Sequence, residues 1–162
     1  MDIESRLEAL GLTLPAPAAL PEGVEIPFDW VRVHQDRAFV AGHGPLDPDG
    51  SPAGPFGKVP TEVTLEDAQR SARLATLAML ASLRTVLGDL DRVTAWLTID
   101  GHVNADPGYA QTTAVINPVS DLVVELYGAE AGRHARTAIG APALPLNLPV
   151  VLAAQVAIAP PR

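Results

Sequence analysis

One permanently charged side chain set among small and apolar residues is the feature of this sequence best suited to chemistry. The segment Gly132-Arg133-His134-Ala135-Arg136-Thr137-Ala138-Ile139-Gly140 reads as a β-strand. Strands alternate faces, so Arg136 shares one side with His134, Ala138 and Gly140, while Ala135, Thr137 and Ile139 share the other. An arginine cannot shed its charge, and its planar fork of donors matches a carboxylate. Two readings stay open from the residues alone: Arg136 pairs with an internal acid, or it binds an anion from outside.

The second candidate is His43, in Ala41-Gly42-His43-Gly44-Pro45, where a strand opens into a loop. It is either an exposed turn histidine or a proton donor or general base, a role suited to imidazole near neutrality. Asp47 and Asp49 read as turn-shaping residues. Glu125 reads as a solvated or ion-paired helix residue, and Trp96 and Tyr109 as packing. No phosphate loop, dinucleotide-binding glycine pattern, nucleophile elbow or His-Glu-x-x-His helix occurs. His34, His43, His102 and His134 lack metal-ligand spacing. With no cysteine in the chain, disulfides, thiolate metal sites and cysteine nucleophiles are excluded. We expect no metal site.

These residues need elements to position them. Residues 2–10 place Ile3, Leu7 and Leu10 at helical spacing and stop at Gly11. Residues 14–23, with three prolines and Gly23, read as an extended connector. Residues 28–34 and 37–42 read as a hairpin turning at Gln35-Asp36. The stretch 43–60 holds five prolines and four glycines and reads as a long surface loop, a length uncommon without a function. A helix at about 65–87 starts at Thr64, with Asp67 completing a capping box and Val63 as a staple, and stops at Gly88. Its apolar stripe is Leu65, Ala68, Ala72, Ala75, Met79, Leu83 and Val86. Residues 92–99 read as a strand, 118–127 as a second helix ending before Gly128, and 149–159 as a buried last strand. The order predicts an α+β layer architecture, one sheet with two helices on one face.

At 162 residues the chain is long enough for one domain with a sizeable core. Its 48% hydrophobic content is globular. The net charge of −8 argues against a nucleic-acid surface, which needs a basic face. The acidic start Met-Asp-Ile-Glu-Ser has no signal-peptide pattern, and no run reaches transmembrane length. A soluble cytoplasmic protein with no membrane or nucleic-acid partner is the expectation.

Together these pieces resemble the YjgF/RidA family, also called endoribonuclease L-PSP-like, over about residues 26–159. Residues 1–25 then form an N-terminal short helix and connector, and 26–162 the RidA-like domain. Three segments carry the resemblance. Phe39-Val40-Ala41-Gly42-His43-Gly44-Pro45-Leu46-Asp47 is similar to the family's Val-Ser-Gly-Gln-x-Pro strand and loop. Asp89-Leu90-Asp91-Arg92-Val93 and the following strand form the second. The most specific is Arg133-His134-Ala135-Arg136-Thr137 through Ala143-Leu144-Pro145-Leu146. Val103-Asn104 and Ile116-Asn117-Pro118-Val119-Ser120-Asp121-Leu122 are similar to a longer-loop subgroup.

The resemblance implies a chorismate-mutase-like α+β fold of the Bacillus type, a mixed β-sheet with two helices on one face, assembled as a homotrimer with three clefts between subunits. It implies that Arg136 grips the carboxylate of a small 2-imino or enamine acid, with Thr137, Ala138, Val151 and Ser120 lining the same site. Such sites act as 2-iminobutanoate/2-iminopropanoate deaminases, releasing a 2-keto acid and ammonia without cofactor. The sequence departs from the pattern at four positions. The acidic position of the last strand falls on Val151, and 149–159 contains no carboxylate. The hydroxyl of Val-Ser-Gly is Ala41, followed by His43 in place of Gln, and the family's cysteine is Ala138. Either His43 or the 43–60 loop supplies what is missing, or the chain is a non-catalytic carboxylate-binding trimer acting as sensor or chaperone, or it is a pathway-specific enzyme for a more apolar acid. The acidic charge and the lack of an acid/base pair argue against RNA cleavage.

Overall fold

The computed structural model describes all 162 residues. Eight elements follow in order: α1 (Ile3–Ala9), β1 (Val31–His34), β2 (Arg37–His43), α2 (Leu65–Leu87), β3 (Val93–Asn104), α3 (Thr112–Gly132), β4 (Ala135–Ala141) and β5 (Val150–Ile158). The strands form one mixed sheet in the order β1-β2-β5-β3-β4. Only β3 and β4 run parallel; every other neighbour is antiparallel. Because parallel neighbours need a crossover, the helix α3 lies between β3 and β4 in sequence and covers the sheet there.

The α2 cap forms largely as the sequence predicts. Thr64 accepts from the Asp67 N–H at 3.1 Å, Val63 is buried beside it, and Gly88 closes the helix with φ +77°. The reciprocal half of the capping box is not made, because the Asp67 carboxylate pairs with Arg70 at 2.7 Å. Ala68, Ala72, Ala75, Met79 and Leu83 are all fully buried. The three alanines, having no more than a methyl, let α2 settle closely on β5 and β2. Val86 departs from the expected stripe and is 47% exposed, while Leu87 turns inward. Alternate residues of β5, Val150, Leu152, Ala154, Val156 and Ile158, meet the helices in one core with Trp96, Ile99 and Val103 of β3. Full burial of each Val or Leu side chain contributes about 1.5–3 kcal/mol before entropy is counted. Ile3 and Leu7 of α1 belong to this same core.

Three boundaries differ from the sequence reading. Strand β1 begins at Val31, because Phe28 and Trp30 stack edge to face at 5.3 Å outside the ladder. Strand β3 continues to Asn104, through Asp100-Gly101, because Gly101 is where α3 crosses the sheet. A Cβ there would lie 2.7 Å from Ile116 Cγ1. Helix α3 starts at Thr112, six residues early, with Pro118 in its interior and a non-helical Gly128 (φ +80°) near its end. The 43–60 loop is partly interior: Leu46 and Pro52 bridge, and Ala53 and Val59 are buried.

The other sheet face has no helix on it. Phe39, Val151, Ala153, Gln155, Thr137 and Ile139 occupy it, with Phe39 37% and Ile139 55% exposed.

Candidate carboxylate site at the β4–α3 groove

Strand β4 is a sheet edge, and Arg136 leaves it on the helix side. Nη1 donates to Ser120 Oγ at 3.0 Å and Nη2 to Asn117 Oδ1 at 2.9 Å. Asn117 and Ser120 lie three residues apart on α3 and so face the same way. No carboxylate oxygen approaches Arg136 within 4.0 Å; the Arg70–Asp67 pair is the chain's only ion pair. Of the two readings open from sequence, the internal acid is therefore removed. Arg136 is held by neutral groups that fix the fork without cancelling its charge, and three of its five N–H donors remain.

Ser120 also meets His134, Nε2 to Oγ at 2.9 Å, while His134 Nδ1 lies 2.7 Å from the Gly132 carbonyl. A carbonyl only accepts, so in the neutral ring Nδ1 carries the proton and Nε2 accepts from the serine hydroxyl. The direction of the whole chain follows: Arg136 donates to Ser120, Ser120 to His134, and His134 to Gly132. These three side chains line an open groove of ≈ 640 Å³, with Asp121, Glu125 and Arg133 at its rim. Ser120, His134 and Arg136 are each half-buried, whereas Asp121, Glu125 and Arg133 are exposed.

The remaining expected site residues lie elsewhere in the single chain. Thr137 points to the open sheet face and donates to Asp100 Oδ1 at 2.9 Å. Ala138 contributes its carbonyl to Thr112 Oγ1 at 2.9 Å. Val151 also faces away from Arg136, into an apolar pocket of ≈ 180 Å³ shared with Trp30, Pro45, Leu46 and Leu148. His43 lines the back of that pocket. It is only 4% exposed, with Nδ1 2.5 Å from the Ala41 carbonyl and Nε2 2.8 Å from Ser82 Oγ. Burial holds its imidazolium below the ordinary histidine range, against the pull of the Ala41 carbonyl. The exposed-turn alternative for His43 therefore does not describe it.

The loop's far end is anchored by Lys58, whose Nζ donates to Asn104 Oδ1 at 3.0 Å and to the Pro142 carbonyl. Asn104 is fully buried and donates Nδ2 to Asn147 Oδ1 at 3.1 Å. This hub fixes the Pro145–Leu148 lip of the apolar pocket. No three His, Asp or Glu side chains converge as a metal would require. No helix is long and apolar enough to cross a membrane. Two members of the groove escaped the sequence reading: Asn117, and His134 as the partner of Ser120. The spacing of His134 and Arg136 on one strand face was the available signal for the second.

The fold and groove define a small α+β protein of the chorismate-mutase-like class. Residues 4–156 match the family described as "YjgF/chorismate mutase-like, putative endoribonuclease". The chain belongs to that family, and the match takes in α1. It is 33% identical to protein TCP17 of Trypanosoma cruzi over 156 residues, 95% of this chain and 92% of that one. It is similar in structure to Atu1372 of Agrobacterium tumefaciens, with a TM-score of 0.84 and 32% identity, covering 96% of this chain and 91% of that one. Escherichia coli TdcF, solved with bound serine, shares the fold at a TM-score of 0.60 and 17% identity, covering 91% of this chain and 96% of that one.

Proposed function

We propose that this chain binds a small 2-imino or enamine acid by its carboxylate at Arg136 and hydrolyses it to a 2-keto acid and ammonia. The observation that carries the reading is the Arg136 guanidinium, fixed by Ser120 and Asn117 with no carboxylate of its own chain within 4.0 Å. Charge-assisted pairing of guanidinium with carboxylate supplies affinity, and the fork supplies orientation. No metal or organic cofactor enters this reaction.

The working form in this reading is a cytoplasmic homotrimer with sites between subunits. The bare sheet face supports assembly, since Phe39 and Ile139 leave apolar surface there without cover. The opposed directions of Arg136 and Val151 support a shared site, because only a second copy brings such surfaces together.

A second reading is a non-catalytic trimer that binds a small carboxylate. It is favoured by the apolar surroundings of Val151, where the family keeps an acid. The same pocket, if the chain is an enzyme, suits an acid with an apolar side chain. The test generates 2-aminoacrylate and 2-iminobutanoate in situ and follows keto-acid release. Hydrolysis well above the solution rate supports the enzyme. Solution-rate decay together with Arg136-dependent binding of 2-ketobutyrate leaves the binding protein. Binding unchanged in Arg136→Ala removes both.

A further inference from the structure

We infer that Ser120 and His134 are the proton-handling pair of this groove and take over the task for which β5 has no carboxylate. The inference rests on the reading of Arg136 as the carboxylate clamp. Three distances define the pair: His134 Nδ1 to the Gly132 carbonyl at 2.7 Å, His134 Nε2 to Ser120 Oγ at 2.9 Å, and Ser120 Oγ to Arg136 Nη1 at 3.0 Å. The arrangement has the parts of an activated hydroxyl: an oxygen, a base within hydrogen-bond reach, and a third group that fixes the base's tautomer. The Gly132 carbonyl plays that third part, leaving the Nε2 lone pair directed at Ser120.

Arg136 adds two things. Its charge beside Oγ stabilises negative charge developing on that oxygen, and its remaining donors bring the ligand's carboxylate to the same place. The serine oxygen has two lone pairs, of which Arg136 occupies one. The other is free for a water. All three side chains line one groove. His43, by contrast, is buried with both ring nitrogens engaged and does not reach this groove. Asp121 and Glu125 stand at the rim without contact to the pair.

The step balances without an oxidant or reductant. Water oxygen bonds to the C=N carbon of the iminium acid and the π pair passes to nitrogen. Ser120 accepts the water proton as it gives its own to His134 Nε2. The proton then returns by the same route to nitrogen, the C–N bond breaks, and the hydroxyl proton leaves with ammonia. A 2-keto acid and ammonium result, with His134 and Ser120 restored.

The test compares parent, Ser120→Ala, Ser120→Thr, His134→Gln and His134→Ala for hydrolysis of 2-iminobutanoate and for calorimetric binding of 2-ketobutyrate. Circular dichroism and thermal melting confirm that each is folded. The expected result is a fall in kcat of about 10²-fold or more in His134→Gln and Ser120→Ala, with 2-ketobutyrate binding held within about threefold in His134→Gln, whose position makes no hydrogen bond to Arg136. Ser120→Thr, which keeps the hydroxyl, retains most of the rate, and added imidazole restores part of it to His134→Ala. An active parent with an unchanged kcat in His134→Gln overturns the inference and leaves the Arg136 reading intact. Equal losses of binding and rate, without rescue by imidazole, make the pair a support for Arg136 and overturn it as well. A parent that binds 2-ketobutyrate through Arg136 but does not hydrolyse the imine overturns the inference together with the enzyme reading. Binding indifferent to Arg136→Ala removes the clamp itself.

Discussion

Gln69 of α2 donates its side-chain amide to the Ala114 carbonyl of α3 at 2.9 Å. That carbonyl is the one Pro118 leaves without a helical partner, since proline has no N–H to return four residues back. One cross-helix hydrogen bond thus lets α3 run through a proline and present Asn117 and Ser120, on either side of it, to Arg136. Gln69→Leu strands the carbonyl in a partly buried contact and costs about 1–3 kcal/mol. Gln69→Glu loses the donor and falls with it. Denaturant unfolding measures the loss. A Gln69→Leu variant as stable as the parent means that α3 satisfies Ala114 by another route.

Asn117 gives the second prediction. Its neutral oxygen holds Arg136 without neutralising it. Asn117→Asp supplies the internal acid that the chain avoids, and the resulting ion pair competes with an incoming carboxylate. Calorimetry with 2-ketobutyrate is expected to show affinity lowered tenfold or more, while Asn117→Ala loses less. An acid at 117 that leaves affinity unchanged disconnects this helix from the binding site. Arg136→Lys keeps the charge but loses the fork and the contacts at both Asn117 and Ser120, so it too weakens binding.

Burial of His43 gives a pH dependence with a definite sign. Its folded pKa lies below the ordinary value of 6.5, so the unfolded chain takes up a proton that the folded chain refuses. Stability is therefore full above about pH 7 and declines as pH falls through about 6.5 toward the lower, folded value. Asp2, Asp49 and Asp106, held below their ordinary 3.8 by hydrogen bonds from Ser5, Ser51 and Thr61, act only in more acid solution. Chemical unfolding between pH 8 and pH 5 is expected to show the decline in the parent and a flatter profile in His43→Gln. Parallel profiles would mean that burial of this imidazole carries no such penalty.

The parts of this fold written in local chemistry were legible in the sequence: the Thr64 cap, the Gly88 stop, the alternating β5 and the faces of the Arg136 strand. What escaped depends on contacts between distant segments. Pro118 reads as a helix start unless the donor on Gln69, in another helix, is known. Asp100-Gly101 reads as a strand end unless Ile116 is known to cross there. The candidate site divides in the same way. Arg136 and Ser120 could be named, but the neutrality of the arginine's partners and the tautomer of His134 are properties of the packed chain. Val151 and Arg136 were expected on one site, and within one subunit the strand alternation sends them to opposite faces.

The crossing at Gly101 supplies a packing prediction. A methyl at this position meets three atoms of Ile116 at 2.7–2.9 Å, too close for either β3 or α3 to absorb by rotamer change alone. Gly101→Ala is expected to cost about 1–3 kcal/mol and to weaken carboxylate binding with it, because Ile116 precedes Asn117. The compensating variant Gly101→Ala with Ile116→Ala is expected to recover binding more than stability, since it reopens the crossing but removes core volume. Thermal melting and calorimetry on both separate the two effects. Recovery of neither places the damage in β3 rather than in the approach of α3.

The N-terminal connector is fastened over the Val151 pocket by two backbone hydrogen bonds, Ala16 N–H to the Pro48 carbonyl at 3.0 Å and Ala19 N–H to the Gly50 carbonyl at 2.9 Å. Ala18 and Leu20 form part of the pocket's wall. Gly50 is required twice over: its φ of +87° favours glycine, and a Cβ would lie 2.2 Å from the Pro17 carbonyl oxygen. Because that oxygen belongs to backbone, the clash is relieved only by moving the connector. Gly50→Ala is therefore expected to release residues 14–20 while the sheet and both long helices stay folded. Limited proteolysis should cut the variant within this segment at protease levels that spare the parent, and hydrogen exchange should rise at Ala16 and Ala19 with little change in β5. If protection of those two amides survives the substitution, the loop moves instead of the connector, and the wall of the Val151 pocket is held by something other than this pair of hydrogen bonds.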